Sequence, residues 1–181
     1  MSENAHDLRT IIRRPQDCSE KTIKTFIEMV AAGGEADAHR VEHSLPYTDA
    51  LIISMIGNTI VGVSALLRPR TSYLKHLFEC AGEPRMCNPY SLESCWLSVP
   101  PEHRGKGIWQ HNNAAKRVYI GNRPYHSVRR VENKNVADLS KENVYEHVGK
   151  DFYSPISKDK LRLMAANHDL VFDPKKTFVY M

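Results

Sequence analysis

No run of roughly eighteen apolar residues occurs anywhere in the 181-residue chain, which excludes a membrane-spanning helix of ordinary length. The segment from Met1 to Thr10 is polar and has no apolar signal region, so a cytoplasmic protein is expected rather than a secreted one. Four cysteines at positions 18, 80, 87 and 95 include no Cys-x-x-Cys pair. Reduced thiols are therefore expected, and the spacing of His76, Cys80 and Cys87 matches no zinc pattern. Internal repeats and low-complexity stretches are missing too. The net charge of +4 is too mild to demand a nucleic acid, although many of the cations cluster between Arg68 and Arg130. Such a cluster serves a multiply phosphorylated small molecule as well as it serves DNA or RNA.

What remains is a globular composition, 41% apolar and 25% charged, and a length that makes one domain over 1–181 the default. Ile11 to Pro15 reads as a first edge strand. Ser19 is the expected N-cap of a helix carrying Ile23, Phe26, Ile27 and Val30 at helical spacing, closed by Gly33 and Gly34. Glu35 to Tyr47 reads as a loop or a short second helix. Ala50–Ile56 and Thr59–Leu67 are two β-branched runs joined by Gly57 and Asn58, which predicts a tight hairpin. Tyr73, Leu74, Leu77 and Phe78 suggest a helical turn. Leu92–Val99 is a further strand, Gly107–Ile120 a helix closed by Gly121, and His126–Val131 another strand. Val136–Val148 reads as a helix with a phase break near Ser140. Leu161–Met164 and Thr177–Tyr180 read as a final strand pair.

Chemistry concentrates where the apolar run Cys95–Val99 is stopped by Pro100 and Pro101 and followed by Arg104, Gly105, Lys106, Gly107 and Ile108. The first amides of a helix have no intrahelical acceptor and stand at its positive end, so they bind anions. Glycines let a phosphate approach the backbone, and Arg104 and Lys106 add charge. An ordinary basic loop is the plainer reading. The string from Val99 to Ile108 resembles the acetyl-CoA-binding segment of the GNAT N-acetyltransferase superfamily, whose pattern is Arg/Gln-x-x-Gly-x-Gly/Ala after a strand. Arg104 and Gly107 fill its first two fixed positions, while Trp109 stands at the third, where an indole would wall or partly fill the cofactor site.

The resemblance, which covers roughly residues 50 to 152, implies a mixed α/β (α+β) fold: a central, mostly antiparallel sheet that splays where the cofactor enters, flanked by helices. It implies acetyl-CoA as co-substrate, held by Leu97, Ser98 and Val99 along the pantetheine arm, by Arg104, Gly105, Lys106, Gly107, Ile108 and Trp109 at the diphosphate, and by Asn133, with Asn135 as a rival. Glu93 lies at the offset before Arg104 where the histone-acetyltransferase branch carries its catalytic glutamate. Strand alternation would put Glu93, Cys95, Leu97 and Val99 on one face, subject to any bulge, and desolvation there would suit a general base. Val144 to Gly149 resembles the family's Leu-Tyr-Glu-Lys-x-Gly-Phe helix end, with Phe152 as the displaced phenylalanine. Tyr145 then stands beside the sulfur, and a phenol of pKa about 10 can protonate a thiolate whose acid has pKa about 8.5. Read without the resemblance, Glu93 is a solvated strand-end carboxylate, Tyr145 a core tyrosine and Asn133 a helix cap.

The polar run Gln110, His111, Asn112 and Asn113 in the cofactor helix leaves Ile108, Ala115, Val118 and Tyr119 as its packing residues. That helix is expected to be less buried, or to turn a polar face toward a partner. The function implied is transfer of an acetyl group from acetyl-CoA directly to a primary amine. The alternatives are a related group transferase acting on a nucleic-acid base or charged tRNA, and a non-catalytic CoA-binding module. Nothing identifies the acceptor; His39, His43, Tyr47 and Tyr73 are candidates to line its pocket. No membrane partner is expected, no residue points to nucleic acid, and oligomeric state stays open, a homodimer included.

Overall fold

Ser19 caps the first helix by accepting from the Thr22 amide at 3.2 Å, and the helix it starts, α1 (Glu20–Ala32), buries Phe26, Ile27 and Val30. The computed structural model describes residues 8–34, 36–132, 145–154 and 157–168. They divide into two compact units, one of Met1–Arg68 with Glu93–Gly121, the other of Pro69–Leu92 with Asn122–Met181. The strands pair antiparallel within each unit and four helices occur among the described residues, so the fold is mixed α/β with a mostly antiparallel sheet.

In the first unit, β1 (Leu8–Arg13), β2 (Thr48–Ile56), β3 (Thr59–Leu67) and β4 (Leu92–Ser98, counted here from Glu93) follow one another in sheet order. β2 and β3 form the expected hairpin, with Ile56 opposite Thr59 and the positive φ of the turn carried by Gly57 alone. The segment after α1 resolves into a short helix, α2 (Ala38–Ser44), whose N-cap Asp37 accepts from the Arg40 amide. Leu51, Ile53, Val63 and Ala65 point to one side of the sheet and form a core with Phe26, Ile27 and Val30 of α1 and Val41 of α2. Burial of that many aliphatic side chains is the main stabilising term of the unit. The other sheet face, which includes Ile52, Ser54, Gly62 and Ser64, meets α4 (Ile108–Ile120).

In the second unit the turn expected around Tyr73 is a full helix, α3 (Thr71–Cys80), which buries Leu74, Leu77 and Phe78. These residues pack with Ala81, Val148, Leu163 and Ala165. β5 (Tyr125–Arg130) pairs with β8 (Lys160–Ala166), which also takes β6 (Glu146–His147) and β7 (Phe152–Tyr153). Arg162 grips Asp151 through two bonds of 2.8 and 2.9 Å, and this bond holds the Asp151 carboxyl below the usual carboxylate range. The helix expected over Val136–Val148 is corrected at its end: Tyr145 to Val148 are non-helical, because Glu146 and His147 join the ladder opposite Ala165 and Met164. Residues 136–144 and the strand expected at Thr177–Tyr180 lie outside the described residues.

Candidate functional site

β4 is where the sheet departs from regularity. Its ladder sets Glu93 opposite Leu67, Ser94 opposite Leu66 and Cys95 opposite Ala65, then resumes with Ser98 opposite Val63. Three steps on β4 thus answer two on β3, and Trp96 takes a positive φ of 57°. This is a β-bulge, and an aromatic residue holds a left-handed backbone only where its surroundings enforce it. Here the indole is clamped edge-on against Phe26 of α1, ring centroids 6.3 Å apart. The single face expected for Glu93, Cys95, Leu97 and Val99 is therefore broken. Glu93, Cys95 and Ser98 share the α1 side with Val63 and Ala65, while Val99 reaches the α4 side, beside Gly62.

The Ser98 hydroxyl donates to the Met29 carbonyl at 2.8 Å, tying the end of β4 to the last turn of α1. A Cβ on Gly33 would come within 2.7 Å of that oxygen, so the glycine that closes α1 also makes room for Ser98.

Beyond Val99 the chain makes a tight turn at Pro101–His103, and the Arg104 side chain folds back so that Nε donates to the Val99 carbonyl at 3.0 Å. Gly105 and Gly107 follow with φ of 73° and 74°, values a glycine adopts without strain. Gly107 is the N-cap of α4 and offers no side chain to the amides of Ile108, Trp109 and Gln110. A Cβ on either glycine would meet nothing within 4 Å, so Trp109 does not fill the space directly above them. The indole N–H of Trp109 and Nδ1 of His103 are buried without a hydrogen-bond partner among the described residues. Left-handed glycines, uncapped amides and two exposed cations, Arg104 and Lys106, fit a diphosphate.

This cradle is held by contacts the sequence did not announce. Ile108 docks on Gly62 of β3 so closely that a Cβ there would lie 2.6 Å from its Cγ2. Gly62→Ala is expected to lift the start of α4 and to cost about 1–3 kcal/mol, which thermal unfolding would read.

The polarity of α4 follows the expectation at Ile108 and departs from it further along the helix. Ile108, Asn112, Lys116 and Ile120 are its buried residues, whereas Val118 is 84% exposed. The sheet face explains this, because it presents hydroxyls and carbonyls to the helix. Asn112 accepts from Ser64 at 2.6 Å and donates to Ser54 at 3.2 Å, and Thr10 links Ser54 to His111. Tyr119 donates to Asp49, and Lys116 donates to Ser94 at 2.9 Å. Burial, opposed weakly by the Cys95 thiol, pulls the Lys116 pKa down to about 8.

In the second unit, Tyr145 meets Tyr125 edge-on at 4.7 Å, just before β6 rather than at a helix end. The same unit holds a partly buried chain that leaves no local pattern, since its members lie up to 82 positions apart. His168 Nδ1 lies 2.9 Å from the Met86 carbonyl, Ser91 Oγ 2.8 Å from His168 Nε2, and His126 Nδ1 2.8 Å from Ser91 Oγ. A carbonyl only accepts, so neutral His168 carries its proton on Nδ1, and Nε2 accepts from Ser91. His126 must then donate through Nδ1, leaving its buried Nε2 as a lone pair without a partner among the described residues. Burial and the neighbouring His168 lower the His126 pKa to about 3.

Glu93, Leu97 to Val99 and the cradle lie together in the first unit and Tyr145 in the second. Asn133 and Asn135 fall outside the described residues. His39 and His43 stack on each other on the exposed side of α2, and Tyr47 and Tyr73 lie at the surface. A cavity of about 490 Å³ does open between α1 and α2, but its lining includes Cys18, Ile23, Ile27 and Glu42 and none of those four. Among the described residues, no three His, Cys, Asp or Glu side chains are grouped to hold a metal ion.

No protein-family model matches the chain, and no curated protein matches it. Solved structures do. A GNAT family acetyltransferase from Elizabethkingia anophelis with acetyl-CoA bound superposes with a TM-score of 0.60 at 8% identity, covering 89% of this chain and 98% of that one. A GNAT family acetyltransferase from Streptococcus agalactiae 2603 gives 0.65 at 10% identity over 87% and 94%. FeeM, an N-acyl amino acid synthase from uncultured soil microbes, gives 0.59 at 9% identity over 88% and 91%. The fold is that of the GNAT acetyltransferases.

Proposed function

We propose that this protein is an acyltransferase that uses acetyl-CoA to acetylate a primary amine. The observation that carries the reading is the open, doubly left-handed glycine turn leading into the uncapped start of α4, within a fold shared with an acetyltransferase that binds acetyl-CoA. The amides of Ile108, Trp109 and Gln110 would hold the diphosphate, with Arg104 and Lys106 neutralising it. When bound, the coenzyme supplies an acyl group activated as a thioester. The irregular stretch Leu97 to Val99 would offer main-chain groups to the pantetheine arm.

Glu93, half-buried on the side of β4 that faces α1, is assigned the proton of the acceptor ammonium, taken directly or through water. Tyr145 is assigned the return of a proton to the departing thiolate. Asn133 is kept as a candidate contact for the pantetheine arm.

Calorimetry with acetyl-CoA tests the coenzyme assignment, and silence at saturating concentration would end it. Thiol release with a panel of primary amines tests the chemistry. Glu93→Gln and Tyr145→Phe are each expected to lower kcat by roughly 10²-fold while leaving the coenzyme Kd unchanged. If both variants bind coenzyme and turn over like the native protein, neither residue carries the proton. Coenzyme binding with no turnover on any amine, base or tRNA would mark a binding module instead.

A further inference from the structure

Lys116 is the one charged side chain of α4 that is directed into the protein. It is 4% exposed, and its Nζ has a single hydrogen-bond partner among the described residues, Ser94 Oγ at 2.9 Å. Other polar groups of this interface are satisfied at both ends: Asn112 by Ser64 and Ser54, and Asp49 by Arg68 and Tyr119. A lysine left without a carboxylate in such a place is costly as an ammonium and inexpensive as an amine. A neutral amine is a base. Its one partner is a primary hydroxyl on a half-buried residue of β4, Ser94, which keeps part of its surface in solvent.

From this geometry we infer that Ser94 and Lys116 form a nucleophile–base pair, a second reactive centre that takes an acyl group from an activated ester or thioester onto Ser94 Oγ. The pairing meets the test for an activated serine, a hydroxyl within hydrogen-bond reach of a base. The role for the base is the one played in serine–lysine dyads. In the first step Oγ attacks the acyl carbon and its proton passes to Lys116 Nζ. The bond from that carbon to the leaving oxygen or sulfur breaks, and the leaving group takes the proton from Nζ. Lys116 is then neutral again and activates a water, which releases the carboxylic acid and restores the Ser94 hydroxyl. Nothing is oxidised or reduced. This centre does not depend on the coenzyme assignment, because any activated ester can load it.

The charged and titratable groups that face α4 from the sheet are few. β2 contributes Asp49, already held by Arg68 and Tyr119, while the Cys95 thiol of β4, on the α1 side of the sheet, is still near enough to act on Lys116. Against β1, His111 is bonded to the neutral Thr10 hydroxyl. The rate of acylation is therefore expected to rise with pH through a midpoint near 8, where burial puts the lysine.

The full chain would be mixed with p-nitrophenyl acetate across that pH range, with nitrophenol release followed and the product mapped by tandem mass spectrometry. A burst stoichiometric with protein and a hydroxylamine-labile acetyl group on Ser94 are expected. Ser94→Ala should abolish the mark and Cys95→Ala should retain it. Lys116→Met, of similar length and apolar, should slow the burst about 100-fold and remove the midpoint. An acetyl group found only on lysines or on Cys95 would overturn the inference. So would a native burst with no midpoint near 8, a readout that needs no variant to fold. p-Nitrophenyl acetate requires no nucleotide site, so a failed coenzyme titration leaves this result standing, and a failed burst leaves the transfer reading standing.

Discussion

Acidification from pH 6.5 toward 3 is expected to destabilise the protein by on the order of 4 kcal/mol through a single buried side chain, His126. In the folded state its pKa is lowered from 6.5 to about 3, because the ring is wholly buried and its neighbour is another histidine. In the unfolded chain it titrates near 6.5, so between the two values the unfolded state binds the extra proton. Stability then falls as pH drops through that window and is complete above it. Asp151 acts in a lower window: its depressed carboxyl gives up its contribution only as pH falls below the ordinary value of 3.8. Lys116 acts at the alkaline end, where stability is gained as pH rises from about 8 toward 10.5. Urea unfolding at a series of pH values would separate the three. His126→Gln keeps a donor for Ser91 without a titrating ring, so its stability should be nearly flat between pH 6.5 and 4. An unchanged slope in that variant would show that the proton is taken up elsewhere.

Gly149→Ala should be the most damaging single methyl in the chain, with a loss of about 4 kcal/mol or more. Gly149 has a φ of 60°, and a Cβ there would stand 2.0 Å from the Ala81 carbonyl oxygen and 2.9 Å from its carbon. Neither atom can retreat easily. Ala81 is the buried C-cap of α3, and its oxygen already accepts from the Lys150 amide at 2.9 Å. Gly82→Ala is the control. It also has a positive φ, but a Cβ would meet only the flexible end of Lys150 at 3.7 Å, so backbone strain of about 1–2 kcal/mol is the whole cost. Unfolding midpoints of the two variants should differ widely. Equal midpoints would mean that the crossing of Gly149 over Ala81 yields without penalty.

Features written in neighbouring residues were the legible ones. Ser19 with its helix and the Gly57–Asn58 hairpin each depend on a few consecutive positions, and each formed as the sequence implies. The bulge in β4 was not legible, because no glycine or proline marks it; a tryptophan bears the left-handed backbone and Phe26, seventy positions earlier, clamps it there. Beyond Ile108, the packing face of α4 was hidden for a related reason. Asn112 and Lys116 look like surface residues until the serines they bond, on β2, β3 and β4, are known to lie beneath them. Val118 looks like core for want of the same information. The motif around Tyr145 implies a helix end, yet its glycine serves a backbone crossing and the residues before it join a ladder. The Ser91, His126 and His168 chain depends on three distant segments and leaves no local trace.

The hydroxyl, amide and amine groups along the underside of α4 have a mechanical consequence. Aliphatic surfaces glide over one another at little cost, whereas hydrogen bonds between named atoms break after a displacement of a fraction of an ångström. Asn112 locks onto β2 and β3, Tyr119 onto β2 and Lys116 onto β4, so the helix can neither roll nor creep along its axis. Its leading end is thereby pinned at one height above the sheet, and the amides that open there are held in a fixed direction.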